Sequence, residues 1–361
     1  MPARSSFLRD AMTVEAVKTQ TLDAPPRADA ADAGARLGLT GDESEVAGIE
    51  VILNASAGAG DCEQARALLQ KIFGEAGVSA NVRLARDGEE ITALARRAAL
   101  GARCRTVWAG GGDGTVSAVA SLLVGTDKAL GVLPLGTLNH FAKDLGLPLD
   151  LEEAARALLA GSVARVDAAE VNGRVFVNNS GLGLYPSIVR ERERRQERHG
   201  LGKWAALAWA TVTVLRRYPY LRVRLSADGR TLTRRTPFLF VGNNEYELDA
   251  FNIGSRARLD AGRLCLHLAR RDTGRLGLAR LALRALAGRL REDRDFESLK
   301  TEELTIETRQ SRARVSLDGE VTVMQTPLRY RTLPGALRVV VPPGTTAVSD
   351  EQPLAVSDTA G

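Results

Sequence analysis

Short apolar runs alternate with segments of helical periodicity between Ile49 and about Leu159. The runs are typical of buried strands, and the segments between them repeat apolar residues three and four positions apart, as one helix face does. Strands and helices that alternate in this way predict a parallel sheet with helices on both faces. The predicted strands are residues 50–53, 78–84, 106–109 and 129–133, and the predicted helices are residues 62–73, 89–100, 116–123 and 151–159, the last capped by Asp150.

From Ala164 onward the pattern changes to alternating and β-branched residues. The dipeptides Asn172-Gly173 and Asp228-Gly229 separate the segments and favour tight hairpins. This pattern predicts a mainly antiparallel second domain, a β-sandwich. Two segments of helical periodicity, residues 188–215 and 276–289, interrupt it. The predicted strands of this domain include residues 165–171, 174–177, 221–225 and 314–317.

The chain therefore divides into two folded domains and two terminal stretches. Its 361 residues, 44% of them hydrophobic, are enough for two cores. We assign residues 47–165 to the α/β domain, which would bind a nucleotide, and residues 166–324 to the β-sandwich. Residues 1–46 and 343–361 lack sustained periodicity, and their composition predicts disorder.

Two glycine loops follow neighbouring predicted strands. Residues 110–115 read Gly-Gly-Gly-Asp-Gly-Thr between a strand and a helix, and residues 134–139 read Pro-Leu-Gly-Thr-Leu-Asn after the next strand. Backbone N–H groups of such a loop can approach a phosphate closely, because glycine has no Cβ atom. Neither loop matches the P-loop or the dinucleotide-binding motif. Two glycine loops in succession predict a site that binds a polyphosphate, which indicates nucleotide chemistry.

Three side chains in these loops are candidates for that chemistry. Phosphoryl transfer depends on positioning, on charge neutralisation by Mg²⁺ and on a base that takes the acceptor proton. Asp113 is placed to bind Mg²⁺ through water or to orient phosphates, and a local Asx turn is the alternative. Thr115 and Thr137 are placed to donate to phosphate oxygens, with helix capping as the alternative or additional role.

The amino-acid composition of the chain limits the classes of partner that we expect it to bind. The net charge of +5 and the pI near 9.3 suit an anionic membrane surface or a nucleic acid. An aromatic content of 4%, with no recognisable nucleic-acid motif, argues against nucleic acid. Three scattered cysteines without metal-ligand spacing favour reduced thiols and a cytoplasmic location.

At these loops the chain resembles the diacylglycerol kinase catalytic family, which includes sphingosine kinases and bacterial lipid kinases. Residues 111–115 match the family's GGDGT loop, and residues 134–142 match its P-x-G-T-x-N-D-F-A loop. The resemblance extends from about Glu50 to Pro342. It implies an ATP-dependent lipid kinase that transfers the γ-phosphoryl group to the hydroxyl of diacylglycerol or a related lipid, with Mg²⁺. It also implies that residues 325–342 return to the first domain.

The resemblance assigns roles to individual residues. Glu320, in a late Asp-Gly-Glu element, corresponds to the catalytic base, although an exposed Glu on a hairpin is the plainer interpretation. Asp113 is the second catalytic candidate, and Asp113 and Asp167 are the metal candidates. Asn54 and Ser56 match the family's loop after its first strand, with Ala55 in place of the usual proline. The residues assigned to the nucleotide are Asn54, Ser56, Gly111, Gly112, Asp113, Gly114, Thr115, Gly136, Thr137 and Asn139.

Two departures concern metal binding. His140 stands where the family often has Asp, so one Mg²⁺ carboxylate is missing, and Asp144 is the candidate to replace it. Ala261 stands where the family has the second Asp of a structural Mg²⁺ site, which puts occupancy of that site in doubt.

The segment 190–218 combines a mixed-charge run with Trp204, Trp209 and flanking arginines. Such an amphipathic stretch can rest on an anionic bilayer and lead a lipid to the cleft, and burial against the sandwich is an equal alternative. We therefore expect a cytoplasmic protein that associates peripherally with membranes. The sequence leaves open whether the protein forms a homodimer.

Two other functions remain open. An NAD kinase shares the GGDGT element, although the residues after the second loop and the late Asp-Gly-Glu favour a lipid kinase. A catalytically weak lipid- or nucleotide-binding protein would explain His140 and Ala261, but Asp113 and Glu320 argue against it.

Overall fold

A computed structural model describes residues 48–56, 62–183, 220–249, 252–269, 296–348 and 351–353. Two groups of sequence predictions lie outside these ranges. They are the disordered N-terminal stretch and the two helical interruptions of the sandwich, which include the amphipathic segment 190–218.

The first part of the chain forms the predicted α/β layer. Strands β1 to β4 are parallel in the order β2-β1-β3-β4. The predicted cap is confirmed, because the Asp150 carboxylate accepts from the N–H of Glu153 at 3.0 Å. The elements are β1 Ile49–Asn54, α1 Cys62–Glu75, β2 Ala80–Ala85, α2 Gly88–Leu100, β3 Thr106–Gly111, α3 Asp113–Leu123, β4 Ala129–Pro134, α4 His140–Asp144 and α5 Leu151–Leu159.

Two sheets form the predicted sandwich. One has the order β14-β13-β10-β7-β16-β17, and the other contains β5, β6, β8, β9, β15 and β18. Their facing apolar side chains form a second core, which includes Leu182, Val241 and Ile306. The strands are β5 Ser162–Val171, β6 Arg174–Phe176, β7 Asn179–Gly183, β8 Leu221–Ala227, β9 Arg230–Thr236, β10 Phe238–Asn243, β11 Tyr246–Asp249, β12 Asn252–Arg256, β13 Leu264–Ala269, β14 Phe296–Thr301, β15 Glu303–Thr308, β16 Arg312–Leu317, β17 Glu320–Gln325, β18 Leu328–Val341 and β19 Glu351–Pro353.

Both hairpins predicted from turn dipeptides are present. Asn172 and Gly173 join β5 to β6, and Asp228 and Gly229 join β8 to β9, with positive φ at all four residues. Positive φ at both central residues is the requirement of the type I′ turn.

Strand β18 connects the two parts. Its last residues pair in parallel with β4 at Arg338 and Val339, which confirms the predicted return. Its first residues pair with β15, and β5 runs antiparallel to it along almost its whole length. One sheet therefore continues from the α/β layer into the sandwich. The predicted boundary at 165/166 falls inside β5, because a strand that serves both parts shows no break in composition.

The predicted disorder from residue 343 onward is wrong for its first part. Ala347 and Val348 are buried, and the N–H of Leu259 donates to the carbonyl of Ala347 at 3.0 Å. Strand β19 pairs with β5. Two apolar residues among turn-forming neighbours are too few to produce a periodic pattern, so no pattern in the sequence indicates this packing.

The described residues contain no helix with the length and the apolar composition that a membrane span requires.

Candidate active site

The two glycine loops meet backbone to backbone. They follow β3 and β4, which are adjacent parallel strands, so both loops lie at one edge of the sheet. A Cβ atom on Gly136 would lie 2.4 Å from the Cα of Gly112. Only glycine allows this approach, and the approach places the two predicted phosphate loops side by side.

The first loop leads into helix α3. The residue before this helix is Gly112, which has no side chain to accept a hydrogen bond from the first N–H groups of the helix. Uncapped N–H groups at a helix N-terminus attract anions. Thr115 is buried in the first turn, and its Oγ1 accepts from Asn54 Nδ2 at 3.0 Å. The Asn54 carboxamide oxygen accepts from the N–H of Ser56 at 2.9 Å. The structure thus brings together the predicted residues of the first strand and the glycine loop.

Asp113 connects the two loops through its side chain. Its Oδ1 accepts from the N–H of Phe141 at 3.3 Å, near the start of helix α4. This is a contact between loops rather than the purely local Asx turn that the sequence left as an alternative. In the described part of the chain, no hydrogen bond to the second oxygen, Oδ2, is found, so this oxygen can face a cation.

Asn139 shapes the second loop. Its φ is 51°, in the left-handed region, and its side chain is buried. The carboxamide accepts from the N–H of Gly136 at 3.0 Å and donates to the carbonyls of Gly136 at 2.9 Å and Pro134 at 3.3 Å. These bonds occupy the side chain that the sequence assigned to the nucleotide, whereas Thr137 stands exposed at the tip of the loop.

Glu320 lies against the first loop, although more than two hundred residues separate them. Its Oε1 is 3.4 Å from the position that a Cβ atom would take on Gly114. Glu320 and Gly114 line a cleft of about 360 Å³ together with Ser117, Ser121 and Arg174. The structure thus brings the predicted base to the predicted phosphate loop.

Asp318 anchors the turn that carries Glu320, a role that sequence reasoning missed. Its carboxylate is buried and accepts from the N–H groups of Val177, Asn178 and Asn179 at 2.8–2.9 Å. Ser117 Oγ on helix α3 is a fourth donor, at 2.5 Å. Burial raises the pKa of Asp318, and these donors oppose the shift.

Asp167 is held by backbone amides. Its two oxygens accept from the N–H of Gly262 at 2.6 Å and from the N–H of Gly335 at 2.8 Å. This joins β5 to the segment containing Ala261 and to the bulge of β18. Among the described residues, no group of three or more His, Cys, Asp or Glu side chains could hold a metal ion. The assignment of Asp113 and Asp167 to a metal stays a prediction.

Asp144 cannot replace the missing carboxylate at His140. It is buried in an ion pair with Arg256, with Oδ2 2.8 Å from Nε and from Nη2. Burial raises the pKa of Asp144, and the guanidinium opposes that shift. Arg256 also donates to the carbonyl of Val177 at 2.7 Å and to Asn178 Oδ1 at 2.8 Å. The pair joins helix α4 to the sandwich.

We expect Arg256→Met to lower the free energy of unfolding by about 3–5 kcal/mol, because it leaves Asp144 buried without its partner. Urea unfolding at neutral pH measures this loss. Arg86→Met is the matched control, since Arg86 pairs with Glu90 at the surface and surface pairs contribute about 0–1 kcal/mol. A loss no greater than that of the control would contradict the structural role of Arg256.

Two family models match the chain. The diacylglycerol kinase catalytic domain matches residues 49–171, and the YegS C-terminal NAD kinase beta sandwich-like domain matches residues 188–341. Their junction lies close to the region where the α/β layer gives way to the sandwich.

Curated relatives and solved structures agree with these models. A Pseudomonas aeruginosa protein named "Probable lipid kinase YegS-like" is 34% identical over 258 residues, which cover 68% of this chain and 80% of that protein. The Synechocystis protein sll0036 is 28% identical over 65% of this chain, which spans only about half of that relative (54%). A crystal structure of a diacylglycerol kinase from Bacillus anthracis strain Sterne has the same fold. Its TM-score is 0.62 at 21% identity, over 82% of this chain and 97% of that chain.

Proposed function

Because the chain belongs to the diacylglycerol kinase catalytic-domain family, with YegS-like lipid kinases among its relatives, we propose that it is a lipid kinase. It transfers the γ-phosphoryl group of ATP to the hydroxyl of diacylglycerol or a related lipid. One observation carries this proposal: the Glu320 carboxylate lies at the glycine loop, where an acceptor hydroxyl and a phosphate would meet.

The nucleotide site is built from backbone and hydroxyl donors. The N–H groups of the first turn of α3 are the backbone donors for the phosphates, and the exposed Thr137 hydroxyl of the second loop is the side-chain donor. Donors that are fixed before the reaction stabilise the developing charge without reorganisation. The contacts of Asn54 and Asn139 hold both loops in that arrangement.

A single carboxylate, that of Asp113, suits a magnesium ion whose other ligands are phosphate oxygens and water. A carboxylate beside a polyphosphate is repulsive unless a cation lies between them, and Asp113 is a hard oxygen ligand of the kind that Mg²⁺ prefers. Asp113 would hold the ion, which would neutralise charge on the phosphates. His140 and Asp144 do not contribute carboxylates to it, since position 140 is a histidine and Asp144 is paired with Arg256.

The acceptor lies in the cleft beside Glu320. The part of the cleft on helix α3 is lined by small residues, Gly114, Ser117 and Ser121, which leave room for a head group next to the carboxylate. Glu320 accepts the proton of the acceptor hydroxyl as the oxygen attacks the γ-phosphorus. Its exposure lets a substrate reach the carboxylate.

The test is the transfer of labelled phosphate from ATP to a panel of lipids in mixed micelles, with and without Mg²⁺. We expect label on at least one lipid, and none without the metal. NAD is included as an acceptor because the second family model describes an NAD kinase-like sandwich. Transfer of labelled phosphate to NAD alone would contradict the proposal and would favour its nearest rival, an NAD kinase.

We further propose that the protein binds anionic membranes through the segment 190–217. Basic residues near such a surface contribute about 1 kcal/mol each at low salt, and tryptophans favour the interface. Sedimentation with phosphatidylglycerol vesicles should therefore show binding that weakens as salt increases. The triple variant Trp204→Ala, Trp209→Ala, Arg216→Ala should bind at least about tenfold more weakly.

Arg86→Ala, which removes one exposed arginine from the α/β layer, is the control for a general loss of charge. If the triple variant binds vesicles as strongly as the control and the unmodified protein do, the segment does not bind membranes and its role is structural.

A further inference from the structure

One side-chain hydrogen bond attaches the turn of Glu320 to the phosphate-loop helix. Ser117 Oγ donates to Asp318 Oδ2 at 2.5 Å, between residues 201 positions apart. Ser117 lies one helical turn beyond Gly114, the residue that Glu320 approaches. We propose that Ser117 and Asp318 are positioning residues that hold the Glu320 carboxylate at the phosphate loop, which rests on the proposed function of that site.

Asp318 is fixed from two sides. The N–H groups of Val177, Asn178 and Asn179 attach its carboxylate to the sandwich, and the Ser117 hydroxyl attaches it to the α/β layer. The backbone at Asp318 is also constrained, with φ 46°, and Gly319 follows with φ 95°. A turn held in this way has little freedom to move relative to helix α3.

Glu320 itself has no such anchor. It is exposed, and its contact with Gly114 is made by the end of a flexible side chain. The position of the Glu320 carboxylate therefore depends on the backbone of the turn, which is held at Asp318, two residues earlier. A base works only within hydrogen-bond reach of the proton that it takes, so a small shift of the turn costs rate.

The variant Ser117→Ala isolates this contact. Asp318 keeps its three backbone donors, so the turn stays attached to the sandwich and only the bond to α3 is lost. Misplacement of a catalytic group by about 1 Å can cost up to about 100-fold, and we expect kcat to fall between about 10- and 100-fold with KM for ATP unchanged. Ser117→Thr keeps a hydroxyl at the same position and should restore most of the rate.

Thr92→Ala is the matched control. Thr92 lies on helix α2 of the same layer, away from the cleft, and its hydroxyl donates within its own helix, to the carbonyl of Gly88 at 2.7 Å. Its kcat should equal that of the unmodified protein. Equal rates for Ser117→Ala and Thr92→Ala would overturn the positioning role.

A double-mutant cycle with Glu320→Gln separates positioning from packing. If Ser117 acts through Glu320, Ser117→Ala has no further effect on kcat once the carboxylate is gone. A loss in the Glu320→Gln background equal to that in the unmodified protein would show that Ser117 acts elsewhere and would overturn the proposal.

Amide hydrogen exchange tests the attachment without any turnover. We expect faster exchange of residues 318–321 and of the first turn of α3 in Ser117→Ala than in Thr92→Ala. Unchanged exchange would overturn the proposal even if the enzyme is active. If no acceptor is phosphorylated by the unmodified protein, the proposed function fails, while the exchange result still decides whether this bond holds the turn.

Discussion

Asp113→Asn should abolish phosphoryl transfer while leaving the fold unchanged. The carboxylate stands at the first residue of α3, beside the N–H groups to which we assign the phosphates. Its charge is useful there only if a cation is shared with the nucleotide. Metal-assisted stabilisation of the transferring group is worth several kcal/mol, so we expect a fall in kcat/KM of about 10³-fold or more.

Asparagine is a suitable replacement because it keeps the contact between the loops. Its carboxamide oxygen can still accept from the N–H of Phe141, so only the charge is removed. Turnover is measured over a range of Mg²⁺ concentrations, and thermal unfolding checks the fold. Asp127→Asn, on an exposed carboxylate of the same domain, is the control and should leave the rate unchanged. A near-normal rate for Asp113→Asn at saturating Mg²⁺ would remove Asp113 from the metal site.

The sequence predicts the elements of this fold well because their signals are local. The Asp150 cap and the hairpin at Asn172 each depend on a few neighbouring residues, and the structure has both. The glycine loops belong to the same class, since residue type and spacing alone indicate a phosphate site. The late Glu320 could be placed only through its family resemblance, because an exposed Glu on a hairpin has no distinctive local pattern.

The contacts that join the two parts could not be predicted from the sequence. Asp144 and Arg256 are 112 positions apart, and Ser117 and Asp318 are 201 apart. Each pair forms because strands β5 and β18 bring the sandwich against the α/β layer in one register. Alternation of apolar and polar residues predicts a strand, but it does not identify the strand that pairs with it. For this reason the sequence offers Asp144 as a candidate to replace the carboxylate missing at His140, although the fold pairs it with an arginine.

The same limit applies to side chains whose role is to shape a loop. Asn139 belongs to a family motif that predicts a nucleotide contact, and the structure adds a second role, because its backbone is left-handed and its carboxamide bonds within the loop. The Asp167 carboxylate accepts from N–H groups 95 and 168 positions away, contacts that the sequence does not indicate, and its assignment to a metal stays a prediction. A motif identifies residues that a site needs without distinguishing those that touch the ligand from those that hold the backbone.

Glu320→Gln should reduce turnover by about 10²- to 10⁴-fold, the usual contribution of general-base assistance. Glutamine has nearly the same shape and can keep a contact at Gly114, but it cannot accept the proton of the acceptor hydroxyl. The loss should therefore appear in kcat, while the affinity for ATP, measured by calorimetry in the absence of lipid, changes little. Glu303→Gln, on an exposed carboxylate at the start of β15, is the control and should keep the normal rate. If Glu320→Gln retains more than about a tenth of the normal kcat, Glu320 is not the base, and Asp113 becomes the next candidate.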